Sequence, residues 1–208
     1  MSIAQRSTYR HGDLRQALLD AGIDMAREGG PDAVVLREAT RRTGVSPNAA
    51  YRHFADRDAL VSAVSDAAAG ASAAVIEAEW NAVPDGSPVA TAHAHLRAVG
   101  VGYLRFARNE PGLFRAAYNV SSNLERAFSP EKAGPGGRTP IQLLGIALDE
   151  MVDAGLLPPE RRQGAELCAW SAVHGLAMLV LEGPLRDLDE PTLTRAGQQL
   201  IDMVDRGL

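Results

Sequence analysis

The 208-residue sequence has little cysteine, few aromatic residues and no long apolar run. Cys168 is the one cysteine, so no disulfide bond can form within a chain, and we expect a buried, unreactive side chain. No uninterrupted apolar run reaches the roughly 20 residues needed to cross a bilayer. Residues 1–20 lack the apolar core of a signal peptide. These absences predict a cytoplasmic protein that does not enter a membrane.

Sequence motifs of catalysis are also missing. The chain has no nucleophile elbow, P-loop or dinucleotide-binding fingerprint. His93 and His95 are two positions apart on a predicted helix, which directs their imidazoles to nearly opposite sides. Neither has a second His or Cys at metal-ligand spacing. We therefore expect no enzymatic activity, no metal site and no cofactor.

The charge of the chain is acidic overall but unevenly distributed. The formal net charge is −5. Residues 1–60 hold nine Arg and eight acidic residues (9 − 8 = +1), whereas the remainder holds 12 basic and 18 acidic residues (12 − 18 = −6). This balance argues against non-specific coating of nucleic acid. A site-specific DNA binder needs only a few Arg on one face, so that class stays open.

Apolar residues recur at intervals of three and four throughout the chain, which predicts an all-α fold. Leu14, Leu18 and Met25 mark a first helix over about 12–28, and a longer helix runs from about 57 to 80. No strand pattern is present. The remaining predicted helices cover about 89–109, 113–118, 140–154, 159–182 and 191–206, with loops at 83–88 and 129–140.

Residues 36–60 have the layout of a helix-turn-helix. A helix over Leu36–Thr43 is followed by Gly44, which takes the left-handed backbone angle that ends a helix. Ser46 can cap a second helix over 47–53, and Pro47 suits its first position. Asp56 can cap the next helix. The second helix of such a pair can enter the major groove of DNA.

The side chains of this second helix suit contact with nucleic acid. They comprise amide, phenol, guanidinium and imidazole groups and include no carboxylate. Asn48 can read a base edge, Ala49 can contact a thymine methyl, and Arg52 can contact guanine or phosphate. Arg6 and Arg10 either reach DNA as an N-terminal arm or belong to a disordered tail. The alternative is a helical interaction module whose polar face is merely solvated.

The run from Thr43 to Leu60, with its Tyr51-x-His53-Phe54 element, resembles the signature of TetR-family transcriptional regulators. The match covers about residues 10–64. It implies sequence-specific DNA binding, with Tyr51 and His53 on phosphates. One departure is Val35, where many members carry Ser or Thr. The candidate DNA-binding residues are Arg42, Thr43, Ser46, Pro47, Asn48, Ala49, Tyr51, Arg52, His53 and Arg57.

The segment Ala165–Leu181 is apolar nearly all round, which indicates a helix buried on every side, as at a subunit interface. Its Trp170-x-x-x-His174-Gly175 element resembles the C-terminal domain of the TetR-like subgroup named for Trp-His-Gly. The resemblance implies a homodimer formed by the helices at about 159–182 and 191–206. Its two recognition helices, about 34–36 Å apart, would read a palindromic operator.

The resemblance implies two domains: a DNA-binding domain over 1–58 and a ligand-binding and dimerisation domain over 59–208, joined by the helix that ends near 80. Candidate ligand-binding residues are Tyr103, Phe106, Phe114, Tyr118, Trp170, His174 and Met178. Trp170, His174 and Met178 share one helix face. The alternative is ordinary core packing. A pocket so lined would hold a small, largely apolar effector that releases a repressor from DNA by a population shift.

Overall fold

The computed structural model describes residues 11–118 and 124–208, with side chains from 14 to 118 and from 125 to 208. Arg6 and Arg10 lie outside the described residues. Within the described part every regular element is a helix and no strand occurs, so the prediction of an all-α fold is confirmed.

Three helices and one 3-10 turn form a small N-terminal unit, here called the headpiece. Its core contains Leu18, Met25, Leu36 and Phe54, all buried. The elements are α1 (His11–Gly29), a 3-10 turn (Pro31–Ala33), α2 (Leu36–Thr43) and α3 (Pro47–Ala50).

The second helix of the predicted pair is shorter than expected. It ends at Ala50 and continues as a turn over 51–53, rather than as helix to His53. The N–H groups of His53 and Phe54 both donate to the carbonyl of Ala50, which tightens the chain after that residue. Phe54 can then enter the core, where it is 2% exposed.

The larger part of the chain packs around α4, which contacts α1, α5, α6 and α7. By length and composition α4 is apolar enough to cross a bilayer, but half of its most apolar window is buried inside the fold. Core helices of folded domains share this character, so it is weak evidence for a membrane span. The body helices are α4 (Arg57–Asn81), α5 (Pro88–Asn109), α6 (Pro111–Tyr118), α7 (Pro140–Asp153), α8 (Pro159–Arg162), α9 (Ala165–Leu181) and α10 (Glu190–Gly207).

The single helix predicted over 159–182 is wrong, because the structure breaks it into α8 and α9. Gly164 between them has a φ of 84°, a left-handed angle that no α-helix contains. The Arg162 guanidinium bonds to Asp149 at 2.7 Å and to the carbonyl of Gly145 at 3.2 Å, which holds α8 against α7.

Two short structured pieces lie at the predicted loop over 129–140, one just before it and one inside it. Leu124–Phe128 and Pro130–Lys132 are 3-10 turns, and the second packs against α4. The N–H of Gly136 donates to both carboxylate oxygens of Glu77, at 3.1 and 3.0 Å. A capping box between Thr139 and Gln142 then opens α7. The loop is therefore fastened to α4 rather than free.

Candidate nucleic-acid interface and ligand cavity

The turn between α2 and α3 follows the local chemistry expected from sequence. Gly44 has φ 68° and ψ 26°, and the N–H of Val45 donates to the carbonyl of Thr40 at 3.1 Å. The Ser46 hydroxyl accepts the N–H of Ala49 at 3.4 Å and caps α3. Ala50 is fully buried, so this residue fixes which face of α3 points inward and which points to solvent.

The outward face of α3 and its following turn presents the predicted base-reading groups. Asn48 and Arg52 are exposed, and Ala49 and His53 are partly exposed. Tyr51 is 56% exposed, which is unusual for an aromatic ring in a folded domain. Ser46 and Pro47 are also exposed. A phenol, an amide and a guanidinium thus project together from one short segment, in a combination that can donate to phosphates and base edges.

Arg42 is engaged within the protein. Its guanidinium donates to both carboxylate oxygens of Glu28, at 2.9 and 2.8 Å, and to Glu38 at 3.1 Å. Glu38 also accepts from Arg41 at 2.7 Å, and these bonds from Arg41 and Arg42 lower the pKa of Glu38 to about 2. Arg42 therefore fastens α2 to the end of α1, and a phosphate would compete with two carboxylates for it.

Arg57 and Thr43 also have partners inside the headpiece. Arg57 donates to the carbonyls of Val34 at 2.8 Å and Pro31 at 2.9 Å, which ties the start of α4 to the connection between α1 and α2. The Thr43 hydroxyl donates to the carbonyl of Ala39 at 2.8 Å. Their predicted contacts with DNA remain predictions, and the structure adds an intramolecular role for each.

A cavity of about 540 Å³ lies in the body between α4, α5, α6, α7, α9 and α10. Tyr103, Tyr118 and Trp170 line it, whereas the other four predicted ligand residues do not. Phe106 and Phe114 are core residues, at 2% and 0% exposure. The lining residues are Ala69, Ile76, Leu96, Val99, Gly100, Tyr103, Ala117, Tyr118, Ala127, Lys132, Pro140, Ile141, Leu144, Leu167, Ala169, Trp170, Val173, Ile201 and Val204.

A partly buried polar network joins the cavity wall to α9. The Tyr103 hydroxyl accepts the indole N–H of Trp170 at 3.2 Å and lies 2.8 Å from Nδ1 of His174. The hydroxyl proton is then available to His174, whose Nδ1 acts as acceptor in a neutral imidazole. Burial lowers the pKa of His174, consistent with the neutral form. His174 thus lies behind the cavity wall and orients Tyr103.

Tyr118 makes the corresponding link to α4. Its hydroxyl lies 2.8 Å from Oγ of Ser72, and either group can donate. Burial raises the pKa of Tyr118, and burial raises the pKa of Tyr103 well above the ordinary value. Both phenols are therefore neutral near pH 7 and offer hydrogen bonds rather than charge to the cavity.

Lys132 is a cavity residue that the sequence argument missed. It is 5% exposed, and its ammonium lies 3.2 Å from Oδ1 of Asp66. The sequence places it in a loop, where lysine is usually solvated. One signal was available: Lys132 is the single lysine of a chain whose other 20 basic residues are all arginine.

His93 and His95 point apart, as their spacing indicates. Nδ1 of His93 lies 2.7 Å from Asp205 on α10, whereas Nδ1 of His95 lies 2.6 Å from Glu150 on α7. Trp80 stacks on His95 with ring centroids 3.8 Å apart. Among the described side chains no group of three metal-binding residues comes together.

The outer faces of α9 and α10 leave large apolar side chains uncovered. Leu167 is 53% exposed, Leu179 46% and Met203 56%. The expectation that Cys168 is buried is wrong for the single chain, because Cys168 lies on this uncovered face of α9. Ser171 and Gly175 are exposed on the same helix and are small enough to allow another helix to approach closely.

Two family models match the chain. "Bacterial regulatory proteins, tetR family" matches residues 18–64, and "Tetracyclin repressor-like, C-terminal domain" matches residues 96–204, more than half of the 208 residues. The second match includes the Trp170–Gly175 element. No curated protein matches the chain.

Solved structures of similar fold cover nearly the whole chain. A protein of unknown function from Rhodococcus sp. RHA1 is 25% identical, with a TM-score of 0.75 over 98% of this chain and 99% of that one. A bacterial regulatory protein of the tetR family from Rhodococcus RHA1 is 17% identical, with a TM-score of 0.56 over 92% and 96%. The TetR family transcriptional regulator PfmR from Thermus thermophilus is 18% identical, with a TM-score of 0.53 over 92% and 98%.

Proposed function

The chain belongs to the TetR family and is a DNA-binding transcriptional regulator, and from that premise we propose that it is a cytoplasmic, homodimeric repressor released from a palindromic operator by a small, largely apolar ligand. The observation that carries the proposal is α6. This helix of eight residues touches the headpiece at one end and the cavity at the other.

The contact between α6 and the headpiece is close. A Cβ at Gly112 would lie 2.2 Å from the carbonyl oxygen of Ala26 and 2.5 Å from that of Arg27, so this position accepts only glycine without movement. The Arg27 guanidinium also donates to Glu110, just before α6, at 3.0 Å. The end of α1 and the start of α6 are therefore in direct contact.

The other end of α6 supplies Ala117 and Tyr118 to the cavity wall. A ligand that displaces Tyr118 acts on the same short helix that holds α1. A ligand can shift the equilibrium only if it binds one arrangement better than the other. We propose that it favours an arrangement in which the two headpieces of a dimer no longer match successive major grooves.

On DNA, we assign base contacts to Asn48, Ala49 and Arg52, and phosphate contacts to Tyr51 and His53. Exposure of these side chains on one segment supports the assignment. The remaining candidates border that segment and flank the contact with DNA. They are Arg42, Thr43, Ser46, Pro47 and Arg57. The uncovered apolar faces of α9 and α10 support dimerisation through these helices.

Selection of bound duplexes from a random DNA pool tests the DNA-binding half of the proposal. We expect an inverted repeat whose half-sites lie one helical turn apart, about 34–36 Å, or a multiple of it. Asn48→Ala should then lose about 1–3 kcal/mol of discrimination at one base pair of each half-site. Tyr51→Phe is the matched variant, because loss of a phosphate contact should weaken binding to all sequences alike.

Equal affinity for the selected operator and a scrambled duplex would overturn site-specific repression and would favour an interaction module instead. Release by ligand is measured separately, as loss of operator binding when a compound that occupies the cavity is added. A compound that occupies the cavity and leaves operator affinity unchanged contradicts the release step alone.

A further inference from the structure

Lys132 gives the cavity a charged corner. The 3-10 turn Pro130–Lys132 packs against α4 and places this lysine in the lining, almost fully removed from solvent. Its Nζ lies 3.2 Å from Oδ1 of Asp66 and 3.5 Å from Oγ of Ser65. The side chain of Asp66 is itself 13% exposed. The ammonium is thus held by a nearly buried carboxylate.

One face of α4 borders the cavity and contributes Ala69 and Ile76 to its lining. Ser65, Ala69, Ser72 and Ile76 recur at helical spacing on that face and are all buried. Ser65 is next to Lys132, Ser72 bonds to Tyr118, and Ala69 and Ile76 belong to the lining. The walls from α7 and α10 carry apolar side chains, including Ile141, Leu144 and Ile201. The hydroxyls of Ser65 and Ser72 thus lie just outside the lining, next to Lys132 and Tyr118, whereas the walls from α7 and α10 are apolar.

Among the described residues that line the cavity, Lys132 is the one with a charged side chain. The ammonium is paired with Asp66, which also accepts from the Arg126 guanidinium at 3.1 Å, so its charge is partly compensated. Next to an apolar space the positive charge that remains still favours an anionic ligand over a neutral one. The ammonium has three N–H donors, of which Asp66 takes one and Ser65 lies at the limit of hydrogen-bond length. It retains donor capacity toward a ligand.

We propose that the cavity binds an anionic amphipath: a carboxylate or comparable anionic head group at Lys132, with an apolar body against the side chains from α7 and α10. This inference rests on the proposed function in one respect, that the cavity is where the effector binds. It specifies the charge of the ligand, which the proposed function leaves open, because an apolar lining alone does not distinguish neutral from anionic ligands.

Two other ligand chemistries fit less well. A neutral apolar molecule would displace water from the ammonium and return no hydrogen bond, which is unfavourable for a buried charge. A carbonyl compound bound as an imine would need the neutral amine, whereas the ion pair with Asp66 uses the ammonium. An anionic head adds a charge-assisted hydrogen bond to a group already oriented.

The single lysine permits a direct measurement on the unaltered chain. Growth with ¹³C-labelled lysine gives one ε-methylene resonance by NMR, because the chain has one lysine. Decanoate and 1-decanol share an apolar chain and differ in head group. We expect decanoate to shift the resonance and to saturate at a concentration at least about tenfold lower than 1-decanol. Equal saturation, or no shift with decanoate, overturns the proposal.

Variants then test whether Lys132 causes the preference. Lys132→Met alone would leave Asp66 buried without this partner, so it is combined with Asp66→Asn. The probes are 1-anilinonaphthalene-8-sulfonate and neutral N-phenyl-1-naphthylamine, which share an aromatic body and differ by a sulfonate. The double variant should bind the sulfonate at least about tenfold more weakly and the neutral probe within about twofold of wild type. Preference for the sulfonate that persists in the double variant overturns the proposal.

Arg138→Met is the matched control, because it removes an exposed positive charge from the same loop and leaves the cavity lining unchanged; it should keep the preference for the anionic probe. None of these measurements contains DNA, so they are independent of repression. If decanoate is preferred but does not release the operator, the proposed release mechanism fails and the ligand class stands. If decanoate and 1-decanol release the operator at equal concentrations, the ligand class fails and the release mechanism stands.

Discussion

Val35 occupies the N-cap of α2 without acting as a cap. Its backbone is extended, with φ −129° and ψ 120°, and no side-chain hydrogen bond reaches the free N–H groups of the first turn. The side chain is 44% exposed, so it contributes little to the core. The start of α2, which leads into the recognition segment, therefore lacks a stabilising contact that the backbone is already arranged to receive.

Val35→Thr should raise the free energy of unfolding by about 1 kcal/mol, because a hydroxyl at this position can accept the N–H of Glu38 or its neighbour. Urea denaturation followed by circular dichroism measures the change. Val35→Ala is the control, since it shortens the exposed side chain and adds no acceptor. A threonine variant no more stable than the alanine variant would show that the first turn of α2 does not gain from a cap.

The residues that the sequence predicted well are those whose role depends on near neighbours. Ser46 and Asp56 cap helices, and Gly44 takes a left-handed angle, for reasons contained within three or four positions. The partners of Arg42 and Arg57 lie elsewhere: Glu28 is 14 positions from Arg42, and the carbonyl of Val34 is 23 from Arg57. No local pattern shows which arginine is engaged within the fold, and both therefore stay in the predicted DNA-binding set.

At the scale of elements, the start of α6 crosses α1 at backbone distance. Gly112 brings its start against the last carbonyls of α1, and Arg115 passes beside Gly30, where a Cβ would lie 3.2 Å from the guanidinium Nε. These contacts need small residues and exclude larger ones. The sequence placed a short helix here and a break at Glu110-Pro111-Gly112, but it carried no sign that the glycine marks a crossing with α1.

Gly112→Ala should lower the free energy of unfolding by about 2 kcal/mol, because the new methyl group forces α6 away from α1. Gly145→Ala, in the middle of α7, is the matched control: its Cβ would meet no atom closer than 3.9 Å, and the change should be neutral or stabilising by up to about 1 kcal/mol. Urea denaturation of both variants gives the comparison. Equal effects at the two positions would mean that α6 moves freely on α1.

The cavity was predicted only in part, because helical periodicity is a local signal and the position of a cavity depends on tertiary contacts. Aromatic residues at helical spacing marked Tyr103, Tyr118 and Trp170, which do line it. Phe106 and Phe114 carry the same sequence signal and are core, because periodicity shows that a side chain points inward but not whether a space lies beside it. Lys132 reaches the cavity through the fastening of its loop to α4, which depends on tertiary contacts.

At the scale of the whole molecule, large apolar side chains on α9 and α10 remain exposed to solvent in a single chain. Leu167, Leu179 and Met203 expose about half of their surface, and each of the two helices buries its opposite face against the body. Apolar faces of this kind mark interaction sites in folded proteins. The apolar character of α9 on all sides was visible in the sequence, and its outward face explains why a helix so apolar leaves Cys168 uncovered.

If the protein dimerises through α9 and α10 as proposed, Leu179→Arg should give a monomer of 22.1 kDa at micromolar concentration, because a guanidinium placed in an apolar interface is desolvated without a partner. Sedimentation equilibrium measures the mass. Val35→Arg, which adds the same charge at an exposed apolar position of the headpiece, should leave the dimer intact. A dimeric Leu179→Arg protein would place the subunit contact on another surface.

The sharing of α6 between headpiece and cavity constrains how such a regulator can diversify. A mutation at Ala117 or Tyr118 that admits a new ligand also acts on the contact between α6 and α1, so a gain in one property risks a loss in the other. Ile141 and Leu144 face the same cavity from α7, whose main packing partners are α5, α4 and α9. Under the proposed release mechanism, lineages descended from this protein can therefore change their chemical signal at α7 while conserving the operator they inherited.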